Sequence, residues 1–180
     1  MDVFECIKSR RSVRRYLDKD IPNSLIYDIV EAASHAPYGG PPKIEGQLWD
    51  FIVIRNKKRK TKLALGYEDR QWIIDAPVII ACLADMSCDI KYKNWEIVMG
   101  LAMENLILAA QAKGLGTCIV SAFSRNDIKA LDRAELRNIL RVPLSYDLCA
   151  LITVGYPDPD EKIEHKPIRE TDDMIRWEKW

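Results

Sequence analysis

Apolar residues recur along this chain at two spacings, and each spacing predicts its own kind of element. Val3, Phe4 and Ile7 share one face of a short helix over residues 2–10. Leu25, Ile26, Ile29, Val30 and Ala33 repeat at helical spacing behind Pro22, a residue suited to a first helical turn. Asn56–Leu65 reads as a basic helix and Asp69–Ala76 as a short one stopped by Pro77. Tyr92–Lys113 is the longest helical pattern, apolar on most of its circumference and closed by Gly114. Asn126–Leu140 is amphipathic, with Ser124 or Asn126 as its cap. Between these lie apolar runs of strand length: Trp49–Ile54, Val78–Leu83, Gly116–Val120 and Leu148–Val154. Val78–Leu83 and Leu148–Val154 have no polar alternation, which suits strands covered on both faces. Arg11–Asp20 is basic and extended, and the segment after Gly155 is a polar, proline-bearing tail ending in IRWEKW. This order of elements predicts a mixed α/β or α+β domain with helices over a small sheet. No internal repeat interrupts it.

Composition narrows this picture little. The 180 residues suffice for one domain with a real core. Basic and acidic residues balance at 27 each, so the totals favour neither nucleic acid nor an anionic membrane as a partner. The five cysteines, Cys6, Cys82, Cys88, Cys118 and Cys149, form no CxxC pair, and two sit in apolar runs. Neither a disulfide framework nor a structural zinc site is expected, and a reducing cytoplasm fits best. Residues 1–12 carry no apolar core of signal-peptide length, and no stretch approaches the roughly twenty apolar residues of a membrane span.

Three clusters could carry chemistry. In RRSVRRY, residues 10–16, four arginines and a serine lie within six positions, a combination that suits a phosphate but also suits a solvated basic turn. Alternation along an extended segment would turn Arg10, Ser12 and Arg14 to one side, and Arg11, Val13 and Arg15 to the other. The loop from His35 to Gly46 holds three of the nine prolines and three of the eight glycines. It leads into a strand, so its backbone and Gln47 could meet the edge of a flat heterocycle, or it could be an ordinary surface loop. GLGTCIVSAF, residues 114–123, has a GxG without the third glycine or following helix of a dinucleotide fingerprint. The Walker phosphate loop, HExxH and GxSxG are missing as well, and the two histidines are far apart in sequence, so a catalytic metal is not expected. The basic run Lys57–Lys62 reads as the decoration of an exposed helix.

Taken in order, these segments resemble the nitroreductase family of flavoproteins. IKSRRSVRRY resembles the family's opening signature, and AP-YGG with GQLWDFIVI resembles its Ala-Pro-Ser…Asn-x-Gln-Pro-Trp-x-Phe-Ile-Val stretch. DAPVIIACLAD, MENLILAAQAKGLGTC and ALITVGYPDP match three further blocks, and HKPIRE…IRWEKW resembles the C-terminal end. The resemblance spans nearly the whole chain. It implies an α+β fold with a central mixed sheet flanked by helices, one domain over residues 1–180, and an intertwined homodimer. The tail from about residue 156 would wrap onto the partner. FMN would bind at the dimer interface, with NADH or NADPH as electron donor and ping-pong kinetics.

Carried over by position, Arg10, Arg11, Ser12 and Arg14 would hold the FMN phosphate, ribityl chain and pyrimidine edge. Pro37, Tyr38, Gly39 and Gln47 would come from the other protomer. Gln71 would contact the isoalloxazine, backbone groups of Val120, Ser121 and Ala122 would lie near its hydride-accepting nitrogen, and His165 and Lys166 would meet the phosphate. No catalytic side chain is implied, because the flavin carries the hydride.

The departures from the family pattern concern the acceptor side. The loop has about four extra residues at Pro41–Ile44, Tyr38 stands for a serine and Leu48 for a proline, and the asparagine before Gln47 has no clear counterpart. The helical insertion that often covers the site is missing, which suggests an open pocket. The acceptor could therefore be a nitroaromatic, a quinone, an enone, a halogenated phenol or flavin itself, and a flavin carrier or sensor without turnover is the competing class. His165 replaces an arginine, so its phosphate contact would weaken above about pH 6–7. The apolar long helix, and Trp177 and Trp180 in a polar tail, independently call for a covering surface, which a symmetric dimer would supply.

Overall fold

The computed structural model describes residues 1–38, 47–65, 71–88, 95–121, 133–163 and 168–180. Four strands, β1 (Trp49–Ile54), β2 (Val78–Asp85), β3 (Gly116–Ser121) and β4 (Tyr146–Gly155), form one sheet in the order β1-β2-β4-β3. All three pairings are antiparallel. Among the described residues the expected mixed sheet is corrected on this point, since the parallel contact there is a single bridge, Ser12 to Thr117, outside the named strands.

Both faces of β2 are covered, as its unbroken apolar run requires. Val78, Ile80, Cys82 and Ala84 point into one core with α2 (Asn23–Ser34) and α5 (Trp95–Ala112). Ile79, Ala81 and Leu83 point into a second core with α3 (Lys57–Ala64), α4 (Gln71–Asp75) and α6 (Arg133–Leu140). The period of two places alternate residues in opposite layers. Cys149 is the extra residue of a bulge opposite the Cys82–Leu83 step, which keeps β4 in phase with both cores.

Helix ends follow their local chemistry. Asp2 and Glu5 form a reciprocal capping box on α1 (Val3–Ser9). At the other end of α5, Gly114 has φ +75°, and the Leu115 N–H returns to the Ala110 carbonyl at 2.9 Å, a left-handed stop that glycine adopts without strain. Some element boundaries differ from expectation. β2 and β4 run two or three residues longer because the ladder continues past the apolar run. A short helix, α7 (Thr171–Met174), interrupts the tail. α6 is described from Arg133 only, so the anticipated caps Ser124 and Asn126 lie outside the described residues. No disulfide joins the five cysteines, all of which are among the described residues. Among the described residues no helix is long and apolar enough to cross a membrane.

Candidate functional site

The arginine segment is fixed to the sheet from its main chain outward. Arg10 leaves the helix with φ −57° and ψ 130°, ending α1. Its neighbour Arg11 donates from Nη1 to the Lys8 and Arg10 carbonyls, each at 2.7 Å, and so serves two acceptors at the helix end. The chain then lies along the free edge of β3, where the Val13 N–H donates to the Thr117 carbonyl at 2.9 Å. Val13 is buried over Gly116, where an added Cβ would come within 2.7 Å of it; a larger residue there would lift the segment off the edge. Tyr16 closes the segment. Its hydroxyl donates to the Val13 carbonyl at 2.5 Å and pairs with Thr153 Oγ1 at 2.7 Å. Burial pushes this phenol well above its ordinary range, so it stays a neutral donor. Its ring lies so close to Gly155 that a Cβ there would meet it at 2.5 Å.

The tail folds back against the same segment. Asp158 accepts from its N–H partner Arg15 at Nη2, 2.7 Å, while the Asp158 N–H donates to the Arg15 carbonyl at 3.0 Å. The Glu161 carboxylate accepts from the backbone N–H groups of Arg14, at 3.0 and 3.3 Å, and of Arg15, at 3.2 Å. Between segment and tail lies a cleft of about 500 Å³ lined by Arg10, Arg11, Ser12 and Arg14 and by Glu161, Lys162, Ile163 and Ile168. The lining residues carry three guanidiniums, an ammonium and a hydroxyl against one carboxylate, which already accepts from two amides. This donor set fits a phosphate-bearing small molecule, and the volume lies in the range of such sites. The four expected phosphate-side residues therefore come together. Among these four, Arg11 lines the cleft against the alternation expected of an extended segment, its guanidinium drawn back to the carbonyls at the end of α1.

The other expected positions among the described residues do not line this cleft. Pro37 and Tyr38 follow α2, with the Tyr38 ring edge-on to Trp49 at 5.9 Å and 86°. Gln47 is exposed just before β1. Gln71 opens α4, with Nε2 3.4 Å from Asp75 Oδ1. One contact ties α4 to the arginine segment, the Arg14 guanidinium 5.7 Å from the centre of the Trp72 ring. Val120 is fully buried in the second core and pairs with Leu151. Because the Thr117 carbonyl faces outward to Val13, alternation turns the main-chain groups of Val120 toward β4 and those of Ser121 toward the free edge. Gly39, Ala122, His165 and Lys166 lie outside the described residues.

Sequence reasoning missed Glu161, Lys162, Ile163, Ile168 and Trp72. Only Lys162 carried a signal, as one more cation in a basic tail; the others acquire their place from how the tail and α4 fold back.

Comparison with known proteins follows this geometry. A sequence profile described as the nitroreductase family matches residues 7–75 and 65–156. A protein of Methanothermobacter thermautotrophicus, provisionally named an NADH dehydrogenase/NAD(P)H nitroreductase, is 32% identical over 100% of this chain and 88% of its own length. The FMN reductase [NAD(P)H] of Bacillus subtilis is 26% identical, covering 92% of this chain and 73% of its own. In fold, the solved FMN-dependent nitroreductase of Clostridium difficile R20291 superposes with a TM-score of 0.80 at 24% identity, over 98% of this chain and 99% of that one.

Proposed function

Because the chain belongs to the nitroreductase family of NAD(P)H-dependent flavin oxidoreductases, we propose that its arginine cleft binds FMN and that electrons pass from NADH or NADPH to a small acceptor such as a nitroaromatic or a quinone. The observation that carries this reading is the cleft itself, in which Arg10, Arg11, Ser12, Arg14 and Lys162 meet at one place. FMN, when bound, would supply the hydride and electron chemistry. The chain supplies binding and orientation. Arg10 and Arg11, at the α1 terminus, would bring positive charge to a phosphate, Ser12 would add a hydroxyl, and Arg14 a further cation. Among the expected contacts, Pro37, Tyr38, Gly39 and Gln47 belong to the partner protomer in this reading, which agrees with Gln47 standing before β1, the sheet edge opposite β3. His165 and Lys166 would complete the phosphate side, and Gln71, Ser121 and Ala122 the flavin ring, whereas Val120, expected there too, has its main-chain groups engaged with β4.

The homodimer in this proposal draws support from surfaces that one chain leaves bare. The apolar face of α1 points outward, with Val3, Phe4 and Ile7 all exposed, and so do Ile97 and Leu101 on α5. Trp177 is 82% and Trp180 100% exposed, a cost that a partner surface would remove.

The test is the visible absorption spectrum of the purified protein after addition of FMN and desalting, then after anaerobic addition of NADH or NADPH. A retained flavin band that bleaches with either nucleotide supports the proposal and identifies the donor. A retained band that bleaches with neither replaces turnover with a carrier role. No retained flavin overturns the reading. In the double variant Arg10→Ala/Arg14→Ala the band should be lost on desalting.

A further inference from the structure

Arg14 is held at both its main chain and its side chain. Its backbone N–H is held by the Glu161 carboxylate at 3.0 and 3.3 Å. Its guanidinium lies 5.7 Å from the centre of the Trp72 ring, within the range of a cation–π contact. The two sides of that contact are not equally mobile. Arg14 is an exposed side chain on a long flexible stem. Trp72 is half-buried and packs on the second core, next to the fully buried Ile73 on α4. α4 itself is fastened from α3, where the buried Lys60 donates from Nζ to the Ala76 carbonyl at 2.5 Å. Leu63 and Ala64 of α3 share the core with Ile73. The ring is therefore the fixed partner of the guanidinium, whose other contact is a long one, from Nη1 to the Ser12 carbonyl at 3.5 Å.

We propose that Trp72 is a positioning residue: its ring holds the Arg14 guanidinium at the wall of the cleft, so that the cation already stands where an anionic oxygen of the cofactor must meet it. An arginine stacked on an aromatic face keeps its planar fork of N–H donors available at the edge while losing rotamer freedom in advance. The gain appears in cofactor affinity, and it depends on Arg14 being present. This inference rests on the reading that the cleft takes FMN.

The experiment is a double-mutant cycle on FMN dissociation constants, measured by quenching of flavin fluorescence in wild type, Trp72→Leu, Arg14→Gln and the double variant. Trp72→Leu should weaken FMN binding about two- to fivefold, the worth of an exposed cation–π contact. In the Arg14→Gln background the same change should have no further effect. Trp72→Phe, which keeps an aromatic face, should recover part of the loss, and it replaces Trp72→Leu in the cycle if the leucine variant does not fold. A second readout needs no flavin: the Arg14 Nε–H resonance of the FMN-free protein should carry a ring-current shift that disappears in Trp72→Leu. Additive losses in the cycle, or an Arg14 resonance indifferent to Trp72, would overturn the inference while leaving FMN binding in place. A wild-type protein that takes up no FMN would instead overturn the functional reading, and this inference with it.

Discussion

Tyr16→Phe tests whether the arginine segment is held down by one hydroxyl. Two hydroxyl protons serve three contacts: Tyr16 to Val13 O at 2.5 Å, Tyr16 with Thr153 Oγ1 at 2.7 Å, and Thr153 Oγ1 to Cys118 O at 3.3 Å. The consistent assignment has Tyr16 donating to Val13 and Thr153 donating to Tyr16, with the longer Cys118 contact secondary. Phenylalanine keeps the ring against Gly155, and Thr153 can turn its proton to Cys118. The Val13 carbonyl alone is stranded, between the two residues that line the cleft, Ser12 and Arg14. Losing the bond and leaving a desolvated carbonyl costs about 1–3 kcal/mol. For a chain of this size, 2 kcal/mol lowers the unfolding midpoint by roughly 4–8 °C. The assay is thermal unfolding at one fixed protein concentration, without FMN, of wild type, Tyr16→Phe, Thr153→Val and the double variant. The two single effects should couple by at least about 0.5 kcal/mol, and FMN affinity should fall with Tyr16→Phe. A Tyr16→Phe protein as stable as wild type, or strictly additive effects, would refute the argument.

Gly116→Ala places a methyl 2.7 Å from Val13 and should cost about 1–3 kcal/mol in urea unfolding. Val13→Ala in the same chain should relieve much of that loss, and a double variant as unstable as the sum of the singles would rule out the clash. The Tyr146 phenol is pushed up to about 12, chiefly by its hydrogen bond to Asp50. With the unfolded value at about 10, its contribution to stability is complete below about pH 10 and is lost as pH rises toward about 12. The stability gap between wild type and Tyr146→Phe should close across that window; a constant gap would show that the phenol does not titrate with folding. A chain ending at residue 170, without α7, Trp177 and Trp180, should dissociate more readily in sedimentation at low protein concentration, and an unchanged profile would exclude the tail from the interface.

How much of this was legible in advance depended on the range of the interaction. The unbroken run of β2 announced a strand covered on both faces, and Gly114 announced the end of α5, because burial periodicity and backbone handedness are local properties. The grouping of Arg10, Ser12 and Arg14 was likewise carried by residue type and spacing, and the family resemblance by the order of short segments. Alternation failed at Arg11, where two carbonyls at the end of α1 outweighed the geometry of an extended strand. The sheet order, with β4 inserted between β2 and β3, could not be read along the chain, since pairing partners are chosen by which apolar faces meet. Glu161 reaching back across 147 positions to the Arg14 amide, and Trp72 meeting Arg14 from a separate helix, are decided at the same level. The sequence by itself determined where most of the described elements form, that β2 and β4 are covered on both faces, and that Arg10, Arg11, Ser12 and Arg14 share one short segment. Only the tertiary structure decided which carboxylate and which ring attend those cations, because such contacts cost chain entropy to form and exist only once two packed cores have brought distant segments together.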